Sequence, residues 1–214
     1  MLLRDLILRK KNLLNLIELI PNQLLDHNVN GISANSKNIK PDYIFVAIKG
    51  QKFDGSDYIL EAKKNGAFLV LSNKSDDKNV IFTNKIPARL IYSELISSFY
   101  EKQPKEIIGV TGTNGKTSTV EFCRQLWFQA GWKSASMGTL GIKIENTLNK
   151  SSFKSPRQNL TTFDPDELYK ELYSLENQEI SHLALEASSH GLDQFRLDSV
   201  KFTGAIFTNL SHDH

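Results

Sequence analysis

The residues with the clearest chemical potential run from Val110 to Ser118, as Val-Thr-Gly-Thr-Asn-Gly-Lys-Thr-Ser. They follow a short apolar run, Glu106 to Val110, and precede a helical pattern from about Thr117 to Ala130 that stops at Gly131. Gly112 and Gly115 let the backbone turn tightly and approach a ligand with no Cβ in the way. Such a turn aims several backbone N–H groups into one concavity at the positive end of a helix, which suits a polyphosphate. In that arrangement Gly112, Thr113, Asn114, Gly115, Lys116, Thr117 and Ser118 cradle a polyphosphate. Lys116 reaches the β- and γ-phosphates, and the Thr117 hydroxyl sits on Mg²⁺. The strict phosphate-loop pattern asks for Gly at 110, where Val stands, with Gly109 one place off, so the loop is a variant.

A Mg-nucleotide calls for a carboxylate from a neighbouring strand end. Glu186, closing His182 to Glu186 (HLALE), is the candidate, and a helix-cap or ion-pair role is the alternative. The polar loop that follows holds Ser188, His190, Gln194 and Arg196, on the side where open α/β sheets bind ligands. Ser188, Gln194 and Arg196 offer hydroxyl, amide and guanidinium groups to an anionic substrate. His190 reads more naturally as a loop residue than as a base, and no Gly-x-Ser-x-Gly elbow supports a hydrolase. His212, Asp213 and His214 follow another apolar run and read equally as metal ligands or as a solvated end.

The supporting elements alternate. Tyr43 to Ile48, Ala67 to Leu71, Val80 to Thr83, Glu106 to Val110, His182 to Glu186 and Ala205 to Thr208 read as strands. Ser56 to Lys64, Ala88 to Tyr100 and the segment opened by Asp164-Pro165-Asp166-Glu167 read as helices, the last with Asp at the N-cap. Met1 to Ile20 reads as one amphipathic helix. Gln103-Pro104-Lys105 breaks the chain, dividing it into domains 1–103 and 104–214. The fold class is α/β: a small N-terminal domain, then a phosphate-loop domain with a mainly parallel sheet and helices on both faces.

Composition agrees with an ordinary globular chain: 214 residues, 40% hydrophobic, 23% charged, net charge +2. So small an excess leaves no electrostatic footprint for nucleic acid. No apolar run approaches the ~18 residues needed to span a bilayer, and none makes a signal h-region. A single cysteine, Cys123, cannot form an intrachain disulfide and reads as a core residue. A cytoplasmic protein is expected.

Three segments, TGTNGKTS, EASSHGLDQFR and FTNLSHDH, match in order and spacing, and the chain resembles the Mur ligase family of ATP-dependent amide ligases. The segment GISANSKNIKPDYIFVAIKGQKFDG resembles the family's uridine-binding region. The resemblance implies a step of peptidoglycan precursor synthesis. A third amino acid, meso-diaminopimelate, is added to UDP-N-acetylmuramoyl-L-alanyl-D-glutamate through an acyl phosphate. It implies that Gly112 to Ser118 bind ATP and that Lys116, Glu186 and His214 are catalytic residues, with Thr117, Glu186 and His214 on magnesium. It implies contacts to the UDP substrate from Ala34, Ser36, Gln51, Lys52, Phe53, Thr161, Thr162, Ser188, Gln194 and Arg196. The family carries Asp-Ser-Arg where this chain has Asn35-Ser36-Lys37, Gly at Asp42, Pro at Phe163 and Arg at His212. Its full-length members, expected to be monomers, continue past the position of His214 through a carbamylated lysine and a C-terminal domain that selects the amino acid. The 214 residues therefore read as an N-terminal part that does not ligate alone. A folylpolyglutamate synthase-like ligase and a nucleotide-binding module without catalysis are the alternatives.

Overall fold

A computed structural model describes residues 1–50, 53–74, 80–83, 86–145, 150–153 and 160–211. The chain divides into two compact units, Met1–Tyr100 and Glu101–His214. Among the described residues, no helix is long and apolar enough to cross a membrane.

The first unit holds a parallel four-stranded sheet in the order β1 (Gly31–Ser33), β2 (Tyr43–Ala47), β3 (Ala67–Ser72), β4 (Ile81–Phe82). Phe45, Ala47 and Val70 pack with Ile59 and Ala62 of helix α4 (Ile59–Lys64). Side chains alternate along a strand, so Ile44 and Val46, equally buried, face the other way. Helix α5 (Ala88–Tyr100), which contacts β1 and β2, buries Ile91 and Leu95. A parallel strand covered on both faces is apolar throughout, which is why β2 reads as an unbroken run.

The N-terminal segment differs from the single helix expected. It forms α1 (Leu3–Leu8), a 3-10 turn at Lys11–Leu13, α2 (Leu16–Leu19) and α3 (Asn22–Leu25). The first break falls at Lys10, whose backbone is extended at φ −128° and ψ 117°. The breaks let Leu3, Leu6, Ile7, Leu13, Leu16 and Leu25 all reach the interior, which one straight helix could not arrange. Helix α1 packs on α5.

Asp42 adopts the left-handed conformation, φ 65°, which explains why glycine suits that position. Aspartate is among the residues that tolerate it. Its carboxylate is anchored by His27 Nε2 at 2.9 Å and by Asn30 Nδ2 at 3.2 Å.

The second unit holds a six-stranded sheet in the order β10-β5-β9-β6-β7-β8, comprising β5 (Glu106–Thr111), β6 (Ser134–Gly138), β7 (Gly141–Glu145), β8 (Lys150–Phe153), β9 (His182–Glu186) and β10 (Gly204–Phe207). The pairs β10–β5, β5–β9 and β9–β6 are parallel, and β6–β7 and β7–β8 are antiparallel, so the parallel part carries an antiparallel extension. Helix α6 (Lys116–Gln129) covers one face with Val120, Cys123 and Trp127 against Ile108, Val110, Ala184 and Ile206. Cys123 sits in this layer as expected, and burial raises its thiol above the ordinary value. Helix α7 (Pro165–Asn177) buries Leu168, Leu172 and Leu175.

An ionic cluster fastens α6 to the antiparallel extension. Glu121 accepts from Ser136 Oγ at 2.5 Å, Arg124 at 2.9 Å and Lys143 at 3.0 Å, and Arg124 also pairs with Glu145 at 2.7 Å. Burial pushes the Glu121 carboxyl up, but the hydrogen bonds from Ser136, Lys143 and Arg124 prevail and hold it below the usual range. A carboxyl lowered on folding stabilises the protein above its unfolded value and loses that contribution as pH falls through its folded one. Glu121→Gln is therefore expected to cost on the order of 1–3 kcal/mol at neutral pH. The deficit should narrow as pH drops below the ordinary glutamate value of 4.5. Urea unfolding of both proteins across a pH series measures it.

Candidate active site

The site forms where the strand order diverges. From β5 the chain crosses through α6 to β6, while β10 lies on the opposite side of β5, which opens a crevice at the strand ends. Parallel pairing puts Glu186 opposite Val110, so the carboxylate leaves its strand level with the start of the phosphate loop.

In the loop, Gly112 has φ 133° and Gly115 φ 86°, both in the left-handed half of the map. A Cβ at Gly112 would collide with Thr208 and with the backbone of Asn209. The segment after β10 is the reason: Asn209 accepts from Thr113 N through its carbonyl and from Asn114 N through Oδ1, both at 3.0 Å. Thr208 Oγ1 donates to Asn114 O at 2.7 Å. These two residues, unassigned by sequence reasoning, hold the loop in shape. Their position just after a strand beside β5 was the signal for them.

Helix α6 opens at Gly115 without any side-chain cap. The N–H groups of Lys116, Thr117 and Ser118 thus lack intrahelical acceptors and are available to an anion. Lys116 Nζ donates to Gly112 O at 2.7 Å and to Thr113 O at 2.9 Å, folded over its own loop. Lys116, Gly112 and Thr113 line a cavity of about 820 Å³ together with Thr161, Thr162, Ser188, His190 and Arg196.

Glu186 is 1% exposed. Its Oε1 accepts from Thr139 N at 3.0 Å and its Oε2 from Thr139 Oγ1 at 3.2 Å. No Lys, Arg or His forms an ion pair with it among the described residues. A buried carboxylate without a cationic partner is costly, and it retains lone pairs for a cation, so the donor set fits a divalent metal. No cluster of three or more His, Cys, Asp or Glu side chains accompanies it among the described residues. Among the described residues, the ligands that remain are hydroxyl oxygens, which with phosphate oxygens suit magnesium.

Several expected substrate contacts are engaged with protein. Thr162, 1% exposed, donates to Glu186 O at 3.1 Å, accepts from Ser188 N at 2.9 Å and lies 2.9 Å from Ser188 Oγ. Ser188 in turn caps helix α8 (Ser189–Asp193) by accepting from Gly191 N at 3.1 Å. Arg196 donates to Thr162 O at 2.6 Å and to Gln194 Oε1 at 2.8 Å, and approaches Asp164 at 3.4 Å. Asp164 stands at the N-cap of α7 but makes no side-chain cap there, contrary to the capping expected of it. Thr161 faces the cavity and His190 is exposed beside it.

In the first unit, Ala34, Ser36 and Phe53 line a second cavity of about 530 Å³ with Lys37, Ile48 and Tyr58. Ser36 Oγ is taken up by Glu61 Oε2 at 2.5 Å, while Phe53 is 69% exposed. Gln51, Lys52 and His214 lie outside the described residues.

The sequence matches the Mur ligase middle domain over residues 110–214 and the Mur ligase family catalytic domain over residues 28–107. The chain belongs to the Mur ligase family. It is 41% identical over 189 residues to the UDP-N-acetylmuramoyl-L-alanyl-D-glutamate--2,6-diaminopimelate ligase of Rhizobium meliloti, covering 87% of this chain and 37% of that protein. It is 43% identical over 191 residues to the enzyme of that name from Rickettsia conorii, covering 88% and 39%. A solved ligase of the same name superposes with a TM-score of 0.76 at 29% identity, over 91% of this chain and 39% of the other. MurF from Acinetobacter baumannii shares the fold at a TM-score of 0.54 and 18% identity, over 90% and 38%. The chain thus spans about two fifths of the length of the Mur ligases it matches.

Thr162 is bonded on every side, whereas Thr161 faces the cavity with one long hydroxyl contact, to Thr139 at 3.3 Å, so the paired threonines should separate on substitution. Thr162→Val is expected to lower unfolding stability by about 1–3 kcal/mol, and Thr161→Val by less than about 0.5 kcal/mol. Urea denaturation of both variants measures the difference.

Proposed function

We propose that the chain carries the ATP-binding and UDP-substrate-binding parts of a cytoplasmic ligase. That ligase joins 2,6-diaminopimelate to UDP-N-acetylmuramoyl-L-alanyl-D-glutamate. The observation that carries the reading is Glu186: a buried carboxylate, level with a phosphate loop and without a cationic side chain as partner. The relatives' names support the choice of substrates.

In this reading the α6 N–H groups and Lys116 bind the nucleotide phosphates, the ammonium exchanging Gly112 O and Thr113 O for phosphate oxygens. Thr117 and Glu186 hold the magnesium ion, and His214 joins them. When bound, the ion neutralises phosphate charge during transfer. The D-glutamate carboxylate attacks the γ-phosphorus and ADP departs, leaving an acyl phosphate. The amine then attacks its carbonyl carbon and inorganic phosphate departs. Lys116, the lysine of the phosphate loop, stabilises the moving charge electrostatically. Thr161 and His190, on the open wall, are placed to meet the acceptor, whereas Thr162, Ser188, Gln194 and Arg196 shape that wall. In the first unit Phe53 presents an aromatic face to the uracil and Lys37 a cation to the diphosphate, beside Ala34 and Ser36; the family resemblance adds Gln51 and Lys52.

Isothermal calorimetry on these 214 residues tests the reading. Binding of both Mg-adenylyl imidodiphosphate and UDP-N-acetylmuramoyl-L-alanyl-D-glutamate is expected. Lys116→Ala should weaken the first at least tenfold, or about 1.4 kcal/mol, and leave the second unchanged. Nucleotide binding without any affinity for the UDP-dipeptide would indicate a plain nucleotide-binding module. With ATP, the dipeptide and diaminopimelate together, the 214 residues should form no product, because two fifths of the relatives' length supplies only part of their site.

A further inference from the structure

Thr139 lies in the turn between β6 and β7 and touches Glu186 twice. Its N–H reaches Oε1 at 3.0 Å and its hydroxyl reaches Oε2 at 3.2 Å, so one residue grips both oxygens of the carboxylate. The preceding residue makes the grip possible. A Cβ at Gly138 would collide with the Glu186 carboxylate, so the turn can close over that side chain only because position 138 has none. The Thr139 hydroxyl also lies 3.3 Å from Thr161 Oγ1. A hydroxyl carries one proton. The carboxylate is the stronger acceptor, so the Thr139 proton goes to Glu186 in preference to Thr161 Oγ1.

A carboxylate held at two oxygens has a defined direction for its remaining lone pairs. Metal-binding carboxylates are oriented in this way by outer partners, whose removal weakens metal affinity. We propose that Thr139 is a positioning residue for the divalent cation, aiming Glu186 at the phosphate loop. The inference rests on the reading of Glu186 as a metal-binding group, and the experiment separates the two.

Mn²⁺ substitutes for Mg²⁺ and is followed by electron paramagnetic resonance. It is titrated into the 214-residue chain saturated with adenylyl imidodiphosphate. Thr139→Val, which removes the hydroxyl and keeps the backbone donor, should weaken Mn²⁺ binding about three- to tenfold and alter the spectrum of the bound ion. Thr139→Ser should restore affinity to within about twofold. If the valine variant fails to fold, as judged by its urea transition, Thr139→Ala carries the same test without the added methyl. Glu186→Gln should weaken Mn²⁺ more than either. Parental affinity in the valine or alanine variant, with Glu186→Gln impaired, overturns the role of Thr139 and leaves the metal reading intact. Parental affinity in Glu186→Gln overturns the metal reading itself. Weakening that serine fails to restore also overturns the inference, because the hydroxyl would then not be the group that matters.

Discussion

The parallel pairing of β5 with β9 is the constraint on which the second unit depends. Register in a sheet is quantised: a slip by one residue turns every side chain to the opposite face. With Val110 opposite Glu186, the apolar residues Val110 and Ala184 meet α6 while the last carboxylate of β9 emerges beside the phosphate loop. Ala187 N then donates to Val110 O at 2.8 Å, holding the pairing one residue beyond the strand end. The cavity wall follows from this point, since Thr162 binds the Glu186 carbonyl and Ser188 together, and Arg196 binds Thr162.

The loop obeys a similar logic from the other side. A turn with two left-handed glycines is entropically expensive and does not hold itself. Here it is held by Thr208 and Asn209, supplied by a strand that arrives almost a hundred residues later on the far side of β5. Site geometry is thus set by three neighbouring strands whose ends carry few apolar atoms and many polar ones. The interior layer beneath provides the rigidity.

Much of this was legible in the sequence, for identifiable reasons. Buried parallel strands show as apolar runs, Tyr43–Ala47 throughout and His182–Glu186 between its polar ends, and the α5 boundaries, Ala88–Tyr100, follow from helical spacing. The phosphate loop announces itself by glycine, lysine and threonine at a strand-to-helix junction. What escaped notice is equally specific. Strand β6 is Ser-Ala-Ser-Met-Gly, fully buried yet nearly without bulky apolar residues, because α6 lies close over it. Strand β7 alternates buried Ile142 and Ile144 with half-buried neighbours, a period-two signal that was available. Thr139 had no such signal, since its role depends on a carboxylate 47 positions away. The contacts of Arg196 to Thr162 and Asp164, more than thirty residues away, likewise carried no local signal.

The turn at Asp42 has a bearing on how this chain could change over generations. Its aspartate occupies a backbone state that glycine enters without steric penalty, and it is held there by a ring from position 27 that also stacks on Phe68 at 4.1 Å. The two sites are therefore not free to drift independently. A lineage that first loses the imidazole leaves the aspartate strained and without its main anchor, whereas one that first acquires glycine loses only the two side-chain hydrogen bonds from His27 and Asn30 and can shed the histidine afterwards. The order of substitution matters although neither residue lines either of the two cavities described above, and the passable route runs through glycine.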